Sequence, residues 1–100
     1  MLSSDFVRSY IDAWNQRSPA RVAEHLARGG TYHDMGELRQ VTRKDFIAHL
    51  EEYFSRDSNR YVLVGEILKG ERTIACQDLA CPSGDSVDDG GWMGAEFITL

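Results

Sequence analysis

Hydrophobic residues follow a helical period up to about residue 55 and a strand-like period from residue 59 onward, and this change limits the folds open to the chain. The run RYVLVGEIL is rich in β-branched and aromatic residues, and RTIACQDLA follows it after the short turn KGE. Two such runs predict an antiparallel hairpin. After a polar loop, the last apolar run, WMGAEFITL, predicts a further strand.

Three amphipathic helices are predicted before this change, over residues 4–16, 19–28 and 42–55. Each carries apolar residues at helical spacing. The second has the clearest start, with Ser18 as N-cap and Pro19 at the first helical position, and it ends at a Gly-Gly pair. Short strands are predicted between the second and third helices.

The order of elements predicts one α+β domain covering residues 1–100, in which helices cover one face of an antiparallel sheet. The net charge of −5 argues against a nucleic-acid partner, and no apolar run is long enough to span a membrane. Cys76 and Cys81 lack a CxxC spacing and are expected to be free thiols in a reducing, cytoplasmic setting. No phosphate-loop or nucleotide-binding motif is present, so no cofactor is expected.

The stretch GGTYHDMG contains the most suggestive polar residues. In a regular strand, Tyr32 and Asp34 share one face and His33 lies on the other, so His33 and Asp34 are not expected to form a dyad in one pocket. Asp34 either faces a pocket or caps the following turn, which aspartate often does. The remaining histidines, His25 and His49, are expected at helix edges or on the surface. Their spacing predicts no metal site.

Several segments together resemble the nuclear transport factor 2-like superfamily, in particular its SnoaL-like and ketosteroid isomerase-like branch. The matching segments are YIDAWNQRS, PARVAEHLA, GTYHDMG and TRKDFIAHLEEYF, followed by the strand meander. The resemblance implies a cone in which three N-terminal helices pack on a bent antiparallel sheet around an apolar pocket. It covers nearly the whole chain. Because its motifs are loose, it is more specific for the fold than for the function.

The resemblance also implies roles for individual residues. Tyr10 matches a tyrosine that holds an oxyanion in the ketosteroid isomerases, and Asp34 matches their general base. Burial in an apolar cone would raise the pKa of such an aspartate. The second acid of those enzymes is missing, because the matching position is Ala95. Glu96, one residue further, would face the other side of the strand.

The final strand of this fold is apparently missing, since the sequence ends at Leu100. The cyclase branch usually places a working Asp or His on that strand. Either the sequence is shortened or a partner chain completes the sheet. Because an open apolar edge favours pairing, we expect a homodimer through the sheet.

The leading hypothesis is a small-molecule pocket protein, an isomerase or cyclase acting by proton transfer next to a carbonyl, with Asp34 and Tyr10 as catalytic residues. Its ligand would be a small apolar or carbonyl-containing molecule. The expected aromatic walls of the pocket are Trp14, Tyr32, Phe54, Trp92 and Phe97.

Two alternatives remain open. The first is a non-catalytic ligand-binding or dimerisation module, which the missing second acid favours. The other is a hydrolase that activates water and would require Asp34, Arg72 and Asp78 to lie together.

Overall fold

A computed structural model describes residues 3–34, 39–56, 59–81 and 92–99. These residues form three helices and five strands in the predicted order. The elements are α1 (Ser4–Asn15), α2 (Pro19–Ala23), β1 (Thr31–Asp34), β2 (Arg39–Thr42), α3 (Arg43–Arg56), β3 (Arg60–Lys69), β4 (Thr73–Cys81) and β5 (Trp92–Thr99).

The helices begin where the capping residues predict. The side chain of Ser3 accepts a hydrogen bond from the backbone N–H of Phe6 (3.1 Å) at the start of α1. Ser18 does the same for the N–H of Arg21 (3.3 Å), one turn into α2. Each bond satisfies an N–H that has no partner within its own helix.

Helix α2 is shorter than predicted. After Ala23 the backbone N–H groups of His25 and Leu26 bond to the carbonyls three residues earlier, those of Val22 and Ala23 (3.1 and 3.0 Å). This tighter pattern ends the α-helix before the Gly-Gly pair, as it often does in the last turn of a helix.

The strands form two antiparallel sheets. Strands β1 and β2 pair with Tyr32 opposite Val41, and β4 lies in the middle of the second sheet, between β3 and β5. The register of β3 against β4 shifts between Val64 and Leu68, and Gly65 there has a φ of 71°. A shift of this kind is a bulge, which bends a sheet.

The core lies between the helices and the sheets. Helix α1 buries one stripe, α3 buries another, and the second sheet is covered on the face that carries alternate residues of β4. The buried residues on these three surfaces include Val7, Tyr10, Ile11, Ala13, Trp14, Phe46, His49, Leu50, Ile74, Cys76, Asp78 and Ala80. Burial of apolar surface at this interface is the main stabilising term for the domain.

One side chain fixes the end of α1 over the second sheet. The amide nitrogen of Asn15 donates to the backbone carbonyl of Tyr61 (2.8 Å), and its oxygen accepts from the Tyr61 N–H (2.7 Å). Asn15 therefore pairs with β3 as a neighbouring strand residue would. The position of Trp14, the preceding residue, relative to the sheet follows from this link.

Cys76 and Cys81 are both buried on β4, and neither is in a disulfide. Five residues of strand separate their Cα atoms by about 16 Å, whereas a disulfide requires roughly 7 Å or less. They cannot pair with each other while β4 is intact. Within the described ranges, no helix is long and apolar enough to cross a membrane.

Candidate functional site

Trp14 lies at the centre of an aromatic interior. It is in the last turn of α1 and only 6% exposed. Among the described residues, five aromatic rings lie around it, with centroid distances of 6.2 Å to Tyr10, 6.4 Å to Tyr32, 5.7 Å to Tyr53, 5.3 Å to Phe54 and 5.5 Å to Tyr61. Its Nε1, a hydrogen-bond donor, is buried and has no partner among the described residues.

Tyr10 lies one helical turn before Trp14 on the same buried stripe of α1, and it is 7% exposed. Its ring makes edge contacts with the rings of Trp14 and His25, at centroid distances of 6.2 and 5.6 Å. Tyr10 therefore lies in the interior, and its catalytic role remains a prediction.

Strand β1 shows the predicted alternation at its first three residues. Tyr32 packs against the core and stacks on Phe46, with the ring centroids 4.8 Å apart. His33 is exposed, and its Nε2 forms a hydrogen bond with the hydroxyl of Thr31 (3.0 Å). The structure describes the backbone of Asp34, which is paired with Arg39, but its side chain lies outside the described part. The role of Asp34 remains a prediction.

His49 contradicts its predicted place at a helix edge or on the surface. It is 4% exposed in the middle of α3, and its Nδ1 is buried without a hydrogen-bond partner in the described part of the chain. Its ring centroid lies 5.7 Å from that of Tyr32. The signal was present in the sequence, because His49 falls three residues after Phe46 and four before Tyr53, on the apolar stripe.

The other three predicted pocket walls, Phe54, Phe97 and Trp92, have different outcomes. Phe54 is partly buried and packs against the core around Trp14. Phe97 is 76% exposed, so its prediction as a wall is wrong. It pairs with Ala75, and alternation places both on the sheet face opposite the buried Ile74. The side chain of Trp92 lies outside the described part, which includes only the pairing of its backbone with Ala80.

Asp78 is a buried carboxylate on the inner face of β4, and it is 6% exposed. It pairs with Gly94 of β5, where an added Cβ would lie 2.8 Å from the Asp78 Oδ1. A glycine at this position leaves room for the carboxylate. Arg72 precedes β4, and six residues of strand place it about 20 Å along the chain from Asp78. Arg72 therefore lies too far from Asp78 to form the Asp34–Arg72–Asp78 cluster that a water-activating hydrolase would require.

A separate cleft of about 340 Å³ opens at the surface beside the first turn of α3. Its lining residues are Arg28, Gly29, Gly30, Thr42, Arg43 and Lys44. All three cationic side chains are exposed, so the cleft faces solvent rather than the aromatic interior. Nowhere in the described ranges do three or more His, Cys, Asp or Glu side chains group closely enough to hold a metal ion.

The architecture matches that of a solved structure, an NTF2-like protein of unknown function from Cytophaga hutchinsonii. The match covers 100% of this chain and 80% of that one, with a TM-score of 0.67 and 10% sequence identity. The chain has an NTF2-like fold. No protein-family model matches the sequence, and neither does any curated protein.

The predicted α+β cone is thus confirmed at the level of the fold. A match at 10% identity extends to the fold alone, because one fold hosts many activities. The SnoaL-like branch and the catalytic roles of Asp34 and Tyr10 remain predictions. Two buried polar atoms in the interior of this chain, the Nε1 of Trp14 and the Nδ1 of His49, lack partners in the described part.

Proposed function

We propose that the domain binds a small carbonyl-containing molecule between α1, α3 and β1, beside Trp14. The observation that carries this proposal is the buried Nε1–H of Trp14, which has no partner in the described part of the chain. Leaving a buried donor unsatisfied costs about 1–3 kcal/mol. A ligand oxygen that accepts this hydrogen bond would recover that cost, and the surrounding rings suit an apolar body.

The proposed reaction is proton transfer next to the carbonyl, as in an isomerase or a cyclase. Tyr10 supports it, because a tyrosine in this interior can donate a hydrogen bond to a developing enolate oxygen. Asp34 is the proposed base. It follows Tyr32 by two residues in β1, and a regular strand places positions 32 and 34 on the same face. Chemistry of this kind needs no cofactor.

Tyr32 and Phe54 are the proposed apolar walls on the sides of β1 and α3, and Trp92 keeps its proposed place as a further wall through the resemblance alone. The two cysteines, Cys76 and Cys81, lie too far apart along β4 to form a disulfide with each other, which is compatible with the proposed reducing compartment, the cytoplasm.

Binding can be tested through the indole N–H of Trp14. The ¹H–¹⁵N indole signals are assigned with Trp92→Phe and followed while cyclohexenone or acetylacetone is added. We expect the Trp14 indole signal to move as its N–H acquires an acceptor. The backbone amide signals of exposed helix residues serve as the control and should not move. If no carbonyl compound moves the Trp14 signal, the binding proposal is wrong.

The catalytic proposal is tested by exchange of the protons next to the carbonyl of a bound ligand in deuterated water. Asp34→Asn should slow this exchange by about 10²–10⁴-fold if Asp34 is the base. Tyr10→Phe should slow it by about 10²-fold or more if the hydroxyl holds the oxyanion. Asp12→Asn, an exposed change on α1, is the matched control and should have no effect. Binding without exchange in any variant would favour a non-catalytic module.

A second proposal, dimerisation through the sheet, has an observation of its own. Leu68, Ala75 and Phe97 are in register across β3, β4 and β5, so they form one row on the outer face of the sheet. Leu68 is 62% exposed and Phe97 76% exposed. Single exposed apolar residues are common, but an aligned row suits the same row of a second copy related by a two-fold axis.

Sedimentation equilibrium tests this dimer. Phe97→Glu places a charge in the row and should shift a dimer to a monomer, whereas Ile47→Glu, at an exposed apolar residue of α3, should leave the association unchanged. A wild-type protein that is monomeric across the micromolar range would contradict the proposal.

A further inference from the structure

The cleft beside the first turn of α3 is built from two segments that strand pairing brings together. Strands β1 and β2 are paired as far as Thr31 and Thr42, at the open end of their hairpin. The backbone N–H of Arg43 donates to the carbonyl of Gly30 (3.3 Å), which extends this pairing by one residue. The residues before β1 and after β2 are therefore held side by side. The segments that line the cleft of about 340 Å³ are residues 28–30 and 42–44.

Two glycines keep one wall of this cleft as bare backbone. A Cβ added to Gly30 would lie 2.9 Å from the carbonyl oxygen of Ala27 and 2.9 Å from the Cδ1 of Leu26, so the turn after α2 requires glycine there. Gly29 has a φ of 80°, a conformation that favours glycine, and an added Cβ would meet nothing within 4 Å among the described residues. The space beside this wall is therefore open to a ligand that approaches the backbone closely.

The charge around the cleft is positive, against the balance of the whole chain. The sequence has 11 Lys and Arg against 16 Asp and Glu, with a net charge of −5. Arg28, Arg43 and Lys44 nevertheless lie around this one cleft. All three are exposed, and none has an ion-pair partner among the described residues. Like charges gathered in this way repel one another, and a bound anion would relieve that repulsion.

One acidic side chain lies beside these residues. The Oδ2 of Asp45 accepts a hydrogen bond from the hydroxyl of Thr42 (3.5 Å), so its carboxylate offsets part of the positive charge. The backbone N–H of Arg43 already has its partner in the Gly30 carbonyl. An anion in the cleft would therefore be held by the cationic side chains rather than by the start of the helix.

We propose that this cleft binds a small phosphate monoester, with Arg28, Arg43 and Lys44 around the phosphate group. A phosphate monoester carries about −1.5 to −2 charges at pH 7, which suits three cations better than the single charge of a carboxylate does. The planar guanidinium of each arginine can pair with two phosphate oxygens. No residue of the aromatic interior lines the cleft, so this site does not depend on the function proposed beside Trp14.

The size and charge of the surroundings select the rest of the ligand. A volume of about 340 Å³ exceeds that of a phosphate group alone, and it lies at the lower end of the range of about 300–1,000 Å³ for small-molecule sites. The aliphatic stems of the arginine and lysine side chains offer apolar surface. A small organic body on the phosphate therefore fits. A nucleic acid or an anionic membrane is disfavoured, because the net negative charge of the chain repels a polyanion.

Binding can be measured on the amide signals of Gly29 and Gly30 in ¹⁵N-labelled protein, at neutral pH and low ionic strength. With phenyl phosphate we expect saturable shifts and a dissociation constant of about 1 mM or lower. Phenyl sulfate has the same ring with a single charge and should bind about threefold or more weakly. Inorganic phosphate lacks the ring and should also bind about threefold or more weakly.

Charge variants test the assignment of the residues. Arg43→Glu should weaken the binding of phenyl phosphate about fivefold or more. Asp45→Asn keeps an oxygen for the Thr42 hydroxyl but removes the negative charge, and should tighten binding about twofold. Arg8→Glu reverses the same charge at an exposed position of α1 outside the cleft lining, and is the matched control. Its affinity should stay within about twofold of wild type.

Three results would overturn the proposal. The first is the absence of saturable shifts at the two glycines of the wild type, which does not depend on the folding of any variant. The second is an equal loss of affinity in Arg8→Glu and Arg43→Glu, because the attraction would then come from the charge of the whole protein. The third is equal affinity for inorganic phosphate, which would assign the cleft to the free ion. None of these results bears on the Trp14 site, whose indole signal is followed separately with the carbonyl compounds.

Discussion

His49 lies in α3 and His25 lies in the turn that follows α2, and the surroundings of the two side chains differ completely. His25 is partly exposed beside α1, and both of its ring nitrogens have partners from the chain itself. His49 is almost fully buried, and its Nδ1 has none within the described part. Because a buried polar group normally finds a partner, the first histidine is explained by the fold alone. The second, like the Nε1 of Trp14, is not explained by any partner in the described part, and this is why we propose a ligand beside Trp14.

The largest expected effect concerns how rigid the interior around His49 is. Leu50, the next residue, is 0% exposed, and Leu50→Ala should lower the free energy of unfolding by about 2–5 kcal/mol, as large-to-small changes in packed cores do. Ile47→Ala, at a 41% exposed position on the same helix, should change it by about 0.5 kcal/mol or less. Urea unfolding of both variants measures this. If both variants lose a similarly small free energy of unfolding, the interior is loosely packed. The absence of described partners for the Trp14 Nε1 and the His49 Nδ1 would then not indicate a ligand site.

An intermediate effect is expected at Asp78, a third buried polar group, which has close contact with its neighbouring strand. The Cβ added by Gly94→Ala would lie 2.8 Å from the Asp78 Oδ1, so the carboxylate must move. We expect a loss of about 1–3 kcal/mol in the free energy of unfolding, as for other overpacked sites.

A double-mutant cycle isolates the cause of that loss. In a protein that already carries Asp78→Ala, Gly94→Ala should cost clearly less, because the clash is gone. Equal costs in both backgrounds would place the effect in the backbone of β5 rather than in its contact with Asp78.

Local patterns predicted much of this fold. Helices α1 and α3 and the β3–β4 hairpin follow from periodicity, caps and turn residues that act within a few positions, and the interior places of Tyr10 and Trp14 follow from the same stripe. The end of α2 could not be predicted from these local patterns, because it depends on hydrogen bonds to carbonyls three residues earlier in the last turn.

The faces of β5 could not be predicted from its own residues. Phe97 and Ile98 are adjacent and both apolar, so alternation allows either to point inward. The pairing of Ile98 with the buried Ile74 of β4 decides between them, and this pairing is a long-range fact. His49 was missed for a different reason. Its position on the apolar stripe was readable, but a polar residue there was assigned to the edge.

The smallest expected effects concern the two histidines. Replacing each by leucine should change the free energy of unfolding in opposite directions. His25→Leu removes two satisfied hydrogen bonds and should lower the free energy of unfolding by about 1–2 kcal/mol. His49→Leu removes a buried atom without a partner and should raise it by about 1 kcal/mol, since sites kept for binding often cost stability. Urea unfolding of the wild type and both variants at the same neutral pH resolves differences of this size.

The same pair of variants separates the explanations of His49. A loss at His49→Leu as large as that at His25→Leu would mean that its Nδ1 is satisfied in solution, by an internal water for instance, and that the interior is complete without a ligand. A gain in stability on His49→Leu would mean that the fold keeps His49 at a cost. A stability cost at a buried histidine is typical of a site that is kept for binding.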